Sequence, residues 1–141
     1  MKHEYSDIET DLLIIGAGMA GMSAAVFAAE RNVNALVAGG PGTIEYSSGL
    51  MDLWGISLTA KGKITKKPWD MLARLRKEMP GHPCALTDMK TFKQAFYELT
   101  GILKDNGLEY IGYEKLNSLV VTPFGTLRPC FRLPVTMKNN C

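Results

Sequence analysis

Cysteine is scarce in this sequence and falls in no recognisable pattern. Cys84, Cys130 and Cys141 are the only three, and no two stand in a C-x-x-C spacing. An odd, scattered count argues against a disulfide framework, a zinc site or a cysteine-ligated iron–sulfur cluster within the chain, and fits reduced thiols in a cytosolic protein. Histidine is scarcer still, with two in 141 residues, so candidate general bases are few. Neither sign of charge dominates: 16 Lys and Arg face 14 Asp and Glu, a net of +2. That balance argues against a dedicated nucleic-acid binder. Repeats and low-complexity tracts are absent. At 46% apolar and 21% charged residues the composition is globular, and the length admits one domain at most.

The longest uncharged run, Leu12 to Ala29, has 18 residues, the lower edge of a membrane span. Three glycines interrupt it, and its halves differ in character. Asp11 to Gly16 reads as a short aliphatic strand, and Met19 to Glu30 as an alanine-rich helix. No transmembrane segment is expected. A signal peptide is not expected either, because residues 1–11 carry one lysine against four carboxylates where a positive segment is required.

A second strand is expected at Asn34–Ala38, followed by a glycine-rich loop. Met51 to Gly55 reads as a short turn of helix. Pro68 to Met79 reads as an amphipathic helix with Pro68 in a first helical position and Trp69, Leu72, Leu75 and Met79 on one side. Pro80-Gly81-His82-Pro83 breaks it. The next helix starts from a Thr87 or Asp88 cap, repeats Phe92, Ala95, Phe96, Leu99, Ile102 and Leu103 at helical spacing, and stops at Asn106-Gly107. Strand-like runs follow at 110–113, 118–122 and 126–133, with Pro123-Phe124-Gly125 as a turn between the last two.

The sharpest motif is Gly16-Ala17-Gly18-Met19-Ala20-Gly21. Alone, G-x-G-x-x-G is a weak pattern; after an aliphatic strand and at the start of a small-residue helix it carries weight. Gly16 permits the tight turn, Gly18 lets a pyrophosphate approach the backbone, and Gly21 lets helix and strand pack closely. The amides of Met19 and Ala20 lie in the first helical turn, whose free N–H groups and partial positive charge suit a phosphate. The alternative is a tight strand–helix turn with no ligand. The motif points to an α/β fold with an N-terminal Rossmann-like dinucleotide-binding βαβ unit.

The same fingerprint calls for a carboxylate at the end of the second strand to hold the adenosine ribose. Ala38, Gly39 and Gly40 stand there instead, and the nearest acid is Glu45. Either the ribose is held otherwise or the cofactor lacks an adenosine half, as FMN does. No arginine replaces the acid, which disfavours an NAD(P) enzyme. Ser47, Ser48 and Gly49 form a second polar cluster, suited to donate to a cofactor phosphate or flavin edge, or to form a plain surface turn.

Ser47-Ser48-Gly49 with Met51-Asp52-Leu53, then His82-Pro83, then Val121-Thr122-Pro123-Phe124-Gly125-Thr126-Leu127-Arg128 resemble the B subunit of anaerobic glycerol-3-phosphate dehydrogenase, in matching order over nearly the whole chain. The resemblance implies a flavin-dependent oxidation of sn-glycerol 3-phosphate to dihydroxyacetone phosphate. It implies a catalytic partner, the A subunit of that enzyme, and a membrane-associated iron–sulfur subunit that passes electrons to quinone. The location is then cytoplasmic, peripheral at the inner face of the cell membrane through those partners. It also implies FMN as cofactor, with FAD as the alternative, and a longer chain of which this is the N-terminal part. On that reading residues 1–141 are a partial flavin-binding domain, with the βαβ cofactor-phosphate region in 1–49 and a helical and hairpin region in 50–141. The cofactor-binding set is Gly16, Gly18, Met19, Ala20, Gly21, Ser47, Ser48 and Gly49, with no metal.

The catalytic residue stays unassigned. His82 has a suitable side chain for proton transfer but sits in a turn, where a packing role is commoner. Arg128 suits a phosphate through its planar fork, or a structural ion pair. Residues 61–78 carry seven basic side chains against Asp70 and Glu78. They read as a solvated helix face or as a surface for an anionic membrane or partner. A non-catalytic nucleotide-binding or scaffold module is the competing function, and the isolated chain is expected to be inactive as an enzyme.

Overall fold

A computed structural model describes residues 7–40, 42–58 and 62–140. Its contacts fall into two compact units, residues 1–47 and 48–141.

The first unit is a strand, a helix and a parallel strand: β1 (Leu12–Ile15), α1 (Met19–Ala29) and β2 (Ala35–Ala38). Two parallel neighbours cannot be joined by a hairpin, so a crossover helix lies between them. Leu12 pairs with Ala35 and Ile15 with Ala38. The ladder is extended at both ends, where Asp11 and Leu12 N–H donate to the Asn34 carbonyl and Gly16 N–H to the Ala38 carbonyl. Asn32 turns the chain out of α1 at φ +53, a left-handed position that asparagine tolerates. Ile14, Ala17 and Ala28 are buried, whereas Leu13 and Ile15 face outward.

The second unit opens with three helices, α2 (Pro68–Glu78), α3 (Pro83–Leu86) and α4 (Met89–Asp105). Pro68 stands at the start of α2 as expected, and Asp88 caps α4 by accepting from the Lys90 and Thr91 amides at 2.9 Å each. Four strands follow. β4 (Ser118–Val121) and β5 (Leu127–Cys130) form a hairpin, and β3 (Tyr110–Ile111) pairs antiparallel with β6 (Leu133–Pro134).

Two cores hold this unit. Trp69, Leu72, Leu75 and Phe131 form one, and Val120, Cys130 and Leu133 the other. The chain from Cys130 to Leu133 supplies both, Phe131 to the first and its neighbours to the second. Phe131 meets Trp69 edge-on at 5.2 Å and Phe96 at 5.3 Å between ring centroids.

Several local expectations are corrected. Residues 51–55 form no helical turn: Met51 is extended and bridges to Arg132, its N–H donating to the Arg132 carbonyl. The run 126–133 is not one strand. It changes partner, from β4 to Met51 to β3, because the backbone groups around Arg132 are taken by Met51. Met79 is half exposed, since α2 ends at Glu78 and the chain turns away. The short helix α3 after the proline break was not expected. No helix among the described residues is long and apolar enough to cross a membrane.

Candidate functional site

The β1–α1 turn is built from backbone. Gly16 takes φ +103, which a side chain would strain. Gly18 is the N-cap of α1 and, having no side chain, makes no side-chain cap hydrogen bond to the first-turn amides. The first turn also carries no acid. Among the described residues nothing lies within 4 Å of the position of a Cβ on Gly18. Gly21 is the opposite case, with a Cβ there directed into the Gly16 carbonyl. The turn therefore combines an open approach, uncapped donors and a helix N-terminus, which fits a pyrophosphate.

A second glycine pair, read from the sequence only as a loop, packs against this turn. Gly39 at the end of β2 has φ +131, and a Cβ there would come 3.4 Å from the Gly16 Cα. Gly42 has φ +59, and its Cβ would come 3.7 Å from the Gly18 nitrogen. A side chain at Gly39 would therefore meet backbone strain and ordinary contact with the glycine turn. The clue in the sequence was the density of glycine at 39–42.

The predicted site residues do not all fall in one unit. Gly16, Gly18, Met19, Ala20 and Gly21 share the turn in the first unit, which also contains Ser47; Ser48 and Gly49 belong to the second. Ser48 Oγ accepts from the Leu50 amide, an ordinary serine turn. Gly49 has φ +70, its carbonyl accepts from the Tyr110 hydroxyl at 2.8 Å, and a Cβ there would crowd Pro134. Burial raises the Tyr110 hydroxyl above its ordinary pKa.

The two side chains weighed for chemistry have structural partners. His82 Nδ1 accepts from the Cys84 amide at the start of α3, and its ring meets Trp54 edge-on at 5.7 Å. Arg128 pairs with Asp52 through Nε at 3.0 Å and through Nη2. On α2, Arg74 pairs with Glu78, as on a solvated face. Cys130 is buried, and that burial, with Asp52 nearby, pushes its thiol up to about 12. Among the described residues no group of His, Cys, Asp and Glu is placed to hold a metal.

Comparison with known proteins places these features in context. Residues 11–140 match the family described as FAD binding domain. The chain is 28% identical over 125 residues to the B subunit of anaerobic glycerol-3-phosphate dehydrogenase from Pectobacterium atrosepticum, covering 88% of this chain and 29% of that protein. It is 30% identical over 121 residues to the protein of that name from Yersinia pseudotuberculosis, covering 84% and 28%. To the Aliivibrio fischeri protein it is 33% identical over 120 residues, covering 84% and 26%. The chain thus spans little more than a quarter of the length of these relatives. No solved structure matches it. The family match supports a flavin, specifically FAD, and does not support the expectation of FMN as first choice. That expectation leaned on the missing carboxylate at Ala38, Gly39 and Gly40.

Proposed function

Because this chain belongs to the FAD binding domain family, we propose that its glycine turn holds the pyrophosphate of FAD within a flavin-dependent dehydrogenase. The open, uncapped backbone at Gly18 carries the reading. Gly16, Gly18 and Gly21 shape the turn, and the amides of Met19 and Ala20 donate. Ser47, Ser48 and Gly49 are the further cofactor contacts proposed from sequence.

The substrate proposed from the named relatives is glycerol 3-phosphate, whose secondary alcohol is oxidised to the ketone of dihydroxyacetone phosphate. A hydride leaves the carbon for the flavin, and the hydroxyl proton leaves to a base; the cofactor supplies the redox chemistry. This chain's own residues bind and orient the cofactor. The base stays unassigned; His82, the histidine weighed for that role, has its Nδ1 engaged at the start of α3. The same reading assigns a second, catalytic partner chain, an iron–sulfur partner leading to quinone, and a cytoplasmic location beside the membrane. A partial domain of 1–141, divided at residue 49, is proposed to be inactive alone.

A non-catalytic cofactor-holding module is the second reading, favoured by the same commitment of His82. The test is to purify the chain with FAD, release the flavin with acid and separate it by chromatography, in parent and Gly18→Val proteins. FAD near one per chain in the parent, lost in the variant, is expected. FMN in the parent, or FAD retained by the variant, overturns the assignment. Dye-linked oxidation of glycerol 3-phosphate by the full-length subunit assembled with its proposed partner chains distinguishes the catalytic from the module reading.

A further inference from the structure

Arg132 is a buried cation without a carboxylate. It is only 7% exposed, and the ion pairs among the described residues join Arg74 to Glu78, Lys104 to Glu109 and Arg128 to Asp52, leaving Arg132 out. Burying an ion is costly unless a counter-charge or hydrogen bonds to its remaining protons repay it. Its donors are used unevenly. Nη1 has two protons and gives them to the Tyr113 carbonyl at 2.8 Å and the Phe131 carbonyl at 3.0 Å, so that nitrogen is fully engaged. The Phe131 ring lies on the guanidinium, 4.1 Å from its carbon, and the Tyr97 ring lies 6.0 Å away. Nε and Nη2 find no acceptor among the described residues. Burial pulls the Arg132 pKa down, while Tyr97 and Glu114 raise it, and the Tyr97 hydroxyl acts from nearby without reaching hydrogen-bond geometry. The free edge is not sealed in. The buried side-chain atoms left unpartnered among the described residues are Trp54 Nε1 and Asn117 Oδ1, so solvent reaches Nε and Nη2.

What remains is one planar edge with two parallel N–H bonds, from Nε and Nη2. Such an edge fits the two oxygens of a carboxylate, or two of a phosphate, as a side-on fork. The stacked Phe131 ring and the two carbonyl bonds already fix the guanidinium plane, so little side-chain freedom is left to lose on binding. Charge chooses between the two oxyanions. Glu114 already acts on this guanidinium, so a phosphate dianion meets stronger repulsion than a carboxylate monoanion does. We infer that the Nε–Nη2 edge of Arg132 binds the carboxylate of a small molecule, with the Tyr97 hydroxyl as a further donor. Tyr97 is half exposed, which puts the body of that molecule at the surface. All of these residues belong to the second unit, and none is in the set proposed for the cofactor.

Titration of the 141-residue chain with sodium acetate and with inorganic phosphate, at constant pH and at an ionic strength held with chloride, tests this. Proton–nitrogen correlation spectra supply the reporters: the Arg132 Nε–H, and the backbone amides of Gly112 and Tyr113 beside it. Saturable shifts of all three with acetate are expected, and phosphate is expected to bind about threefold more weakly or worse. Arg132→Lys keeps the charge but loses the fork, and is expected to weaken acetate about tenfold or more, read at Gly112 and Tyr113. Tyr97→Phe is expected to weaken acetate, and Glu114→Gln to tighten both anions and narrow the gap between them. Tyr97 and Glu114 are exposed, so these two variants keep the inference testable where Arg132→Lys fails to fold. Absence of acetate shifts in the parent, shifts that do not saturate, or an acetate affinity unchanged in both Tyr97→Phe and Glu114→Gln overturns the inference. Phosphate binding more tightly than acetate overturns the choice of a carboxylate.

Discussion

Gly21 packs so closely on Gly16 that a methyl group on the first would run into the carbonyl oxygen of the second. Gly18, two residues after Gly16, has open space where its Cβ would stand and a φ of −75° that any residue adopts. The three glycines of one motif are therefore required for different reasons. Gly21→Ala is expected to destabilise the first unit by about 1–3 kcal/mol through overpacking, read as faster amide exchange in α1. Gly18→Ala is expected to leave that exchange unchanged and to weaken FAD binding. Equal effects of the two substitutions on exchange would refute this division of labour.

Phe131 is fully buried among Trp69, Phe96 and the Arg132 guanidinium, whose carbon lies 4.1 Å from the ring centroid. Phe131→Ala is expected to cost the second unit about 3–5 kcal/mol. Urea unfolding followed by the fluorescence of Trp54 and Trp69 measures it. A loss under about 1 kcal/mol would show that this core is not the one described.

Gly112 has φ +152, and a Cβ there would press on the Phe131 carbonyl and come 3.1 Å from Arg132 Nη1. That nitrogen donates to the Tyr113 carbonyl at 2.8 Å and to the Phe131 carbonyl at 3.0 Å. Gly112→Ala is expected to displace Arg132 and lower the melting temperature of the second unit. The same substitution at Gly125, whose φ is +72 but whose Cβ would meet nothing within 4 Å, is expected to cost less. A larger loss at Gly125 would contradict the crowding argument.

Asp88 accepts from two backbone amides and from the Thr91 hydroxyl, and the Thr91 side-chain bond is the largest cause that holds its carboxyl below the ordinary value. A carboxylate with a lowered folded pKa contributes fully above its unfolded pKa, and that contribution is lost as pH falls through the folded pKa. Asp88→Asn is expected to keep the cap but remove this acid-side dependence, and Asp88→Ala to remove both. Thermal melts of the three proteins on the acid side compare them; parallel pH curves for parent and Asn variant would overturn the assignment.

Cys130 is buried with its thiol pushed up to about 12, donating to the Arg132 carbonyl at 3.0 Å. A thiol held protonated is a poor nucleophile. In a Cys141→Ser chain, iodoacetamide near neutral pH is expected to label the half-buried Cys84 and to reach Cys130 only after unfolding. Mass spectrometry of the native reaction reads the outcome, and early labelling of Cys130 would contradict its burial.

What the sequence determined by itself was whatever a few neighbouring residues require. The β1–α1 turn was legible because Gly16 and Gly18 act through their own backbone, and α4 because the Asp88 cap and the Phe92–Phe96 spacing are local. Tertiary structure decided the pairings across long stretches of chain. Arg128 finds Asp52 from 76 residues away, and the Tyr110 hydroxyl reaches Gly49 from 61. The run 126–133 splits because Met51 occupies the backbone of Arg132, and Met51 is extended for the same reason. Gly39 lies in van der Waals contact with Gly16, a contact no periodicity encodes. Local conformational preference is written in adjacent side chains, whereas these pairings depend on which backbone groups remain to be satisfied once the elements have packed.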